Sequence, residues 1–478
     1  MRNLKKWISP AAVAVLAMTT FQARGAELTW TGAQGGANGI NWNKNKNWNP
    51  SANAPTTSDT AVFAGSLTTN HPTVNAASSI QGVAFRSAGW TIGSGSTLTV
   101  GVDGISNTAT TGTNTVNAAI ALGISQTWTV DTGGTLATAG VISGAYSLTK
   151  AGGGTLILSG ANTYGGGTIL SSGTLQLGGA NNRLSTSGAI TVNGGTLNLG
   201  GFTQTTSGAV KITGGLVTSG TVTKTGANYD LQGGSVSAIL AGGVGLDKTT
   251  GATATLTGTQ AYTGATKVSG GTLFVNGSIA SSSGVEVMSG ATLGGSGTVS
   301  NISGAGMVGP GNSPGILTST SVDGSTGLDF MFEFTQSVVS GTSTPIFSNA
   351  SASGNDVLRL TGATPFTSAL DADNIVTIDF SAVTLSIGDV YRGGFYADSG
   401  DFLTSINSAA FNFIGVDPEF YIMISTAQVL ANFPGGNANG YITQFTVIPE
   451  PTTMTLFGLS MGGLLIAACR KKREKAVV

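Results

Sequence analysis

The residues able to do chemistry are few and scattered. Between Thr91 and Ser319 the only acids are Asp103, Asp131, Asp230, Asp247 and Glu286. Glycoside hydrolysis needs two facing carboxylates, and β-elimination from an acidic sugar needs a metal–acid cluster or a base aided by cations. Asp230 and Asp247 are the acids whose spacing would set them on adjacent turns of a chain wound at about 20 residues per turn. Lys248, next to Asp247, suggests a surface ion pair instead. His71 precedes Pro72 and reads as a lone solvated histidine. Asp371, Asp373 and Asn374 have calcium-ligand types, but their grouping reads as a polar turn. The glycine-rich run from Gly294 to Ser319 lacks the Lys-Ser/Thr of a phosphate loop, so Pro310 and Pro314 read as turn residues. No catalytic residue, metal or cofactor is expected, and a polysaccharide lyase or hydrolase is the alternative.

The scaffold that holds these residues is repetitive. The 478 residues include 75 glycines and one cysteine; 9% are charged, and the net charge is -1. That charge leaves no electrostatic footprint for nucleic acid. Gly, Thr, Ser and Val predict many short strands with tight turns. The unit Gly-Thr-Leu-x-(Leu or Val) recurs as STLTV at Ser96, GTLIL at Gly154, GTLQL at Gly173, GTLNL at Gly195 and GTLFV at Gly271, with looser copies at Gly134 and Ala291. Alternation puts Leu156 and Leu158, Leu175 and Leu177, Leu197 and Leu199, and Leu273 and Val275 on one face of their strands. The residue between each pair varies. A constant inner pair under a variable outer residue is what a solenoid coil needs, because one rung buries its leucines only when neighbouring rungs cover them. An all-β fold follows, a right-handed parallel β-helix with about 20 residues per coil.

SLTKAGGGTLILSGANTYGGGTILSSGTLQL from Ser147 aligns without a gap to GLDKTTGATATLTGTQAYTGATKVSGGTLFV from Gly245. This L-x-K-x-G-x-G-T-L-x-L-x-G-x-N-x-Y-x-G-x-T run resembles the autotransporter-associated β-strand repeat. The second copy has Gln260 in place of the usual Asn and Ala254 in place of a Leu, which predicts a less regular coil.

Upstream, Trp30, Trp42 and Trp48 are expected to cap the first rung; a sugar-stacking platform is the other use for such aromatics. The expected organisation is a signal peptide over 1–25, a cap and first coils over 26–90, and the β-helix over 91–320, with its clearest repeats at 147–178 and 245–276. A phenylalanine-rich 321–447 follows, whose alternation predicts a small antiparallel β-sandwich-like domain. The sorting segment occupies 448–478.

Both ends carry addresses. Arg2, Lys5 and Lys6 precede the apolar stretch Ala11–Met18 and the small residues Ala23 and Gly25, so cleavage after Gly25 would leave Ala26 first. At the other end Pro449-Glu450-Pro451 is followed by an apolar run and then Arg470, Lys471, Lys472 and Arg473. About 17 to 20 apolar residues suffice to span a bilayer, and a basic flank stays cytoplasmic, so a transmembrane helix is expected over about 453–469. This segment resembles the PEP-CTERM sorting signal. The resemblance implies an exosortase-type protease and a signal peptidase as partners. It also implies display on the cell surface, outer membrane or extracellular matrix of a Gram-negative-type bacterium. The expected function is a structural or adhesive surface protein that meets extracellular polysaccharide or other cells. Ice binding, a third class, would need Thr-x-Thr in register on successive coils, and the repeat unit offers one Thr per rung.

Overall fold

The computed structural model describes residues 25–34, 36–50, 53–66, 69–311, 315–335, 355–383, 385, 390–398, 402–406, 409–416, 420–428, 441–449 and 465–467. They wind as a parallel β-solenoid with three faces. One full coil is Ile190–Val192, Thr196–Asn198 and Thr203–Thr206; the next is Val210–Ile212, Leu216–Thr218 and Thr221–Lys224. Each strand pairs in parallel with its counterpart one coil on.

The second face is a 15-stranded sheet running from Thr91–Ile92 to Ala410–Ile414. The GTL units lie in register on it: Thr135 opposes Thr155, Thr155 opposes Thr174, and Thr174 opposes Thr196. The leucines of each unit are buried to 1% exposure or less and stack along the axis into one continuous core. Fully burying such a side chain stabilises by about 1.5–3 kcal/mol, a gain each rung receives only through its neighbours. The corner before each unit is tight. Gly173 has φ 70°, and a Cβ there would collide with the Gly152 carbonyl oxygen. The position thus requires glycine for both conformation and space.

The second repeat is as regular as the first. Gln260 takes the place of Asn162: Asn162 Oδ1 accepts the Ile142 N–H at 2.7 Å, and Gln260 Oε1 accepts the Leu240 N–H at 2.7 Å. Ala254 is fully buried opposite Leu273, so the smaller side chain leaves the register intact. The longer amide spans the same gap between coils, which is why the substitution does not disturb the winding.

The N-terminal cap is an aromatic plug. Trp30, Trp42 and Trp48 are at most 2% exposed, with the Trp48 ring centroid 5.0 Å from that of Trp30 and 4.8 Å from that of Trp42, and Phe63 beneath. Trp30 Nε1 donates to the Asn70 carbonyl at 2.9 Å and Trp48 Nε1 to the Trp42 carbonyl at 2.8 Å. Buried this deeply, these rings have no face left for a sugar.

The expected antiparallel β-sandwich over 321–447 is not what the chain forms. The solenoid continues: Val308 pairs with Phe330, Phe330 with Val376, and Val376 with Phe411, all parallel and all on the second face. On the third face Ile316–Ser319, Val357–Leu360 and Val390–Ala397 continue in the same sense. Among the described residues of 321–447, antiparallel pairing is confined to the end, where Val390–Ala397, Tyr441–Pro449 and Phe420–Gln428 form a terminal sheet. Inside these last coils phenylalanine replaces leucine, with Phe395 at 4.9 Å from Phe330 and Phe334 at 5.4 Å from Phe445. Inward and outward alternation is the same in a rung and in a sandwich strand, so alternation alone does not separate them.

Among the described residues no helix is long and apolar enough to cross a membrane; the one α-helical turn is Leu403–Ile406. The helix expected over 453–469 lies outside the described residues except at Leu465–Ala467. Those three residues are a strand paired antiparallel with Ile422–Ile424, not helix.

Candidate functional surface and sorting signal

The first face carries one outward column that changes character along the axis. Strand register places Thr127, Thr149, Ile169, Thr191, Lys211, Asp230, Asp247, Lys267 and Glu286 on successive rungs. Adjacent rungs are about 4.7–4.9 Å apart. The column is thus neutral over its first four rungs and charged over the next five. Asp230 and Asp247, expected on adjacent coils, do face one another in register.

Two like charges directly opposite destabilise a sheet pair unless something offsets them. Here donors from the same and neighbouring rungs do so. Asp230 Oδ1 accepts from Thr249 Oγ1 at 3.0 Å and its Oδ2 from Gln232 Nε2 at 2.8 Å. Both Asp247 oxygens accept from Asn228 Nδ2 at 3.2 Å. Lys211 stands one rung before the pair and Lys267 one rung after, and Lys267 Nζ also lies 3.4 Å from Glu286 Oε2. The result is a partly exposed strip of charges and amides held in register on one sheet.

Lys248 does not form the expected surface pair with Asp247. It is fully buried, as is Lys150 at the matching position of the first repeat, and Lys224 is 1% exposed. Leu148 and Lys150 share one strand face, so the same alternation that buries the leucine buries the lysine. Lys150 Nζ donates to the carbonyls of Ala151 at 2.7 Å, Gly152 at 2.8 Å and Ser172 at 3.3 Å. Lys248 Nζ donates to the carbonyls of Thr250 and, at 2.8 Å, Gly270. Each ammonium therefore satisfies corner carbonyls that point inward where the glycines turn the chain. Burial lowers the pKa of Lys150 to about 8 and also lowers those of Lys224 and Lys248. The sequence signal for this role is the repeat's own spacing, with Lys two residues after Leu.

The other acids and the histidine are structural. Asp103 accepts from Thr60 Oγ1 at 3.1 Å near the N-terminal end, and Asp131 closes a turn through its carbonyl. His71 is not a free solvated ring, because its Nδ1 accepts the Thr91 N–H at 3.1 Å and its edge rests on Trp90. Asp371, Asp373 and Asn374 form a turn in which Asp371 Oδ1 accepts the Asp373 N–H at 2.9 Å; buried Asn374 donates to the Gly324 and Leu328 carbonyls. Among the described residues no group of three or more His, Cys, Asp or Glu is placed to hold a metal ion.

Threonine is displayed more densely than one per rung. On the second face Thr113, Thr135, Thr155, Thr174 and Thr196 form a single outward file. On the third face Thr203-x-Thr205 lies in register with Thr221-x-Thr223, over two coils. The next coil presents Ile239 and Ala241 there, so the array stops.

The sequence addresses lie at the margins of the folded body. Gly25 and Ala26 are described and lead into the strand Glu27–Trp30, while Ala23 lies outside the described residues. Pro449 closes the strand Tyr441–Pro449 opposite Phe420. Glu450, Pro451, Arg470, Lys471, Lys472 and Arg473 lie outside the described residues.

Residues 148–177, 171–199 and 246–275 match the passenger-associated-transport-repeat, and residues 447–473 match the PEP-CTERM protein-sorting motif. No curated protein matches the chain. The matches at 148–177 and 246–275 contain Lys150 and Lys248, whose ammonium groups cap glycine corners, and the sorting motif starts within the last long strand of the folded body. The chain thus combines passenger-associated-transport-repeat coils with a PEP-CTERM sorting motif, as an exported, surface-sorted β-helix protein.

Proposed function

We propose that the solenoid is a non-catalytic contact protein of the cell surface or extracellular matrix, delivered there by an exosortase-type protease acting at Pro449-Glu450-Pro451. The observation that carries this is the charged strip Lys211, Asp230, Asp247, Lys267 and Glu286, five charged residues in register on successive rungs of one sheet. A rigid row of charges and amides at a fixed rung spacing suits a matrix polysaccharide lying along the axis, and the partner is a polysaccharide or a cell surface that carries one. The test is binding of the exported chain to the host's own exopolysaccharide and cells. Retention is expected, weakened several-fold by combined Lys211→Ala and Lys267→Ala. No binding to any host polysaccharide, cell or second copy would overturn it.

A polysaccharide hydrolase is the second reading, because Asp230 and Asp247 stand on adjacent rungs, about 4.7–4.9 Å apart along the sheet. Retaining glycosidases hold their carboxyls about 5–5.5 Å apart. Against it, both carboxylates already accept amide or hydroxyl donors from the sheet. Released reducing ends that vanish in Asp230→Asn and Asp247→Asn would establish this reading over the first.

A further inference from the structure

The backbone nitrogen of Ala26 lies 3.1 Å from Asp59 Oδ1. Asp59 is itself fixed, since its Oδ2 accepts the Thr56 N–H at 3.0 Å and Thr56 Oγ1 at 2.6 Å. On the other side of the same residue, the Ala26 carbonyl accepts the Thr60 N–H at 3.0 Å. From there Glu27–Trp30 runs parallel to Thr60–Phe63 and antiparallel to Trp48–Asn49, which brings Trp30 into the aromatic plug. Ala26 is therefore the point at which the cap begins.

We propose that leader removal turns Ala26 into the cationic half of an ion pair with Asp59, a latch that forms only in the processed chain and secures the N-terminal cap. The proposal rests on the export reading of the sequence. Hydrolysis of the Gly25–Ala26 peptide bond by a signal peptidase adds water across it. Gly25 leaves with a carboxylate, and the Ala26 nitrogen becomes an amine that takes up a proton at neutral pH. A neutral amide donor 3.1 Å from a carboxylate thereby becomes an ammonium at the same place, and a charge-assisted hydrogen bond replaces an ordinary one.

The packing around Gly25 sets the order of events. A Cβ on Gly25 would collide with the Ser58 carbonyl oxygen, so the closed cap presses the residue before the scissile bond against Ser58. A peptidase needs that stretch free and extended, so cleavage precedes cap closure. The charged groups on the surrounding elements are Asp59, Asp103 beside Thr60, the Glu27–Arg86 pair at 2.6 Å and Lys46 before Trp48. Asp59 is the one in contact with the new terminus.

The complete chain is expressed with its own leader in a Gram-negative host, and the purified product is read by peptide mass spectrometry and by titration of its α-amino group. The expected N-terminus is Ala26. The α-ammonium is expected to titrate about one unit above the ordinary 7.7–8.0, slowing acylation of that amine about tenfold at neutral pH, and to return to the ordinary range in Asp59→Asn. A second reading uses the same protein acetylated on Ala26, in which Asp59→Asn should shift the melting temperature less than it does in the free-amine form. A product that starts elsewhere removes the cleavage on which the latch depends. A product that starts at Ala26, with an amine that titrates alike in the wild type and in Asp59→Asn, overturns the latch while leaving export intact.

Discussion

The rungs between Leu148 and Val275 and those between Met307 and Pro449 solve the same problem with different residues. In the first region a short constant unit fills the core with leucine, and in the two longest-matching repeats a buried lysine, Lys150 or Lys248, stitches the glycine corner. In the second, the sequence spacing between paired rungs lengthens, and phenylalanines from several coils interlock in the interior. The comparison teaches that a solenoid's regularity comes from its corners as much as from its core. Where the corners are short the register repeats about every 20 residues, and where they lengthen the parallel pairing persists but that period is lost.

Cutting into the aromatic end should give the largest effect. Phe334→Ala removes a fully buried ring in contact with Phe380, Tyr391 and Phe445, and about 3–5 kcal/mol of local stability should go with it. Hydrogen exchange should report the loss in the last coils while strands near Leu156 keep their protection, because a solenoid rung depends on its neighbours alone. Leu156→Ala should cost about 2–5 kcal/mol and open the rungs on both sides of it.

Lys150→Met tests the corners. It keeps the stem and removes the ammonium, leaving the Ala151, Gly152 and Ser172 carbonyls without that donor at about 1–3 kcal/mol, read by chemical denaturation. Lys248→Met should behave alike. A neutral or stabilising outcome in both would mean that burying the charge costs more than its hydrogen bonds return.

The two regions should also differ in their response to pH. Lys150 is depressed to about 8 in the folded chain against an ordinary 10.5, so between those values the unfolded chain holds the extra proton and stability rises with pH. Asp356, buried among the last coils and accepting the Gly315 and Glu333 N–H groups at 2.7 and 2.8 Å, is raised by burial to about 7. Between about 4 and 7 the folded chain holds the extra proton, so its contribution falls as pH rises. Denaturation midpoints followed across about pH 4–10 should show Asp356→Asn flattening the acid-side slope and Lys150→Met reducing the alkaline one, to which Lys224 and Lys248 also contribute.

The smallest expected effect is at the surface. The half-exposed Lys267–Glu286 pair should contribute under about 1 kcal/mol in a double-mutant cycle. A larger coupling would mean that the charged strip serves stability rather than contact.

Much of the middle of the molecule is legible in the sequence. The GTL period marks the rungs, and the alternation of Leu156 and Leu158 marks the inner face. Asp230 and Asp247 fall on adjacent coils as their spacing implies. The lysines are harder to place, because a charge next to an acid suggests an ion pair, whereas the inner position of Lys248, two residues after Leu246, decides its fate. The C-terminal coils read as a sandwich because the connections between Phe330, Val376 and Phe411 destroy the period that identifies a solenoid. His71 reads as solvated because a hydrogen bond to the Thr91 N–H across a coil has no local sequence mark.

The central claim is that the folded body is released at its sorting motif and works at the surface. Peptide mass spectrometry of surface and membrane fractions from the native host tests it most directly. A surface-fraction chain running from Ala26 to a C-terminus near Pro449 is the predicted result. A chain intact to Val478 and confined to the membrane fraction would contradict it.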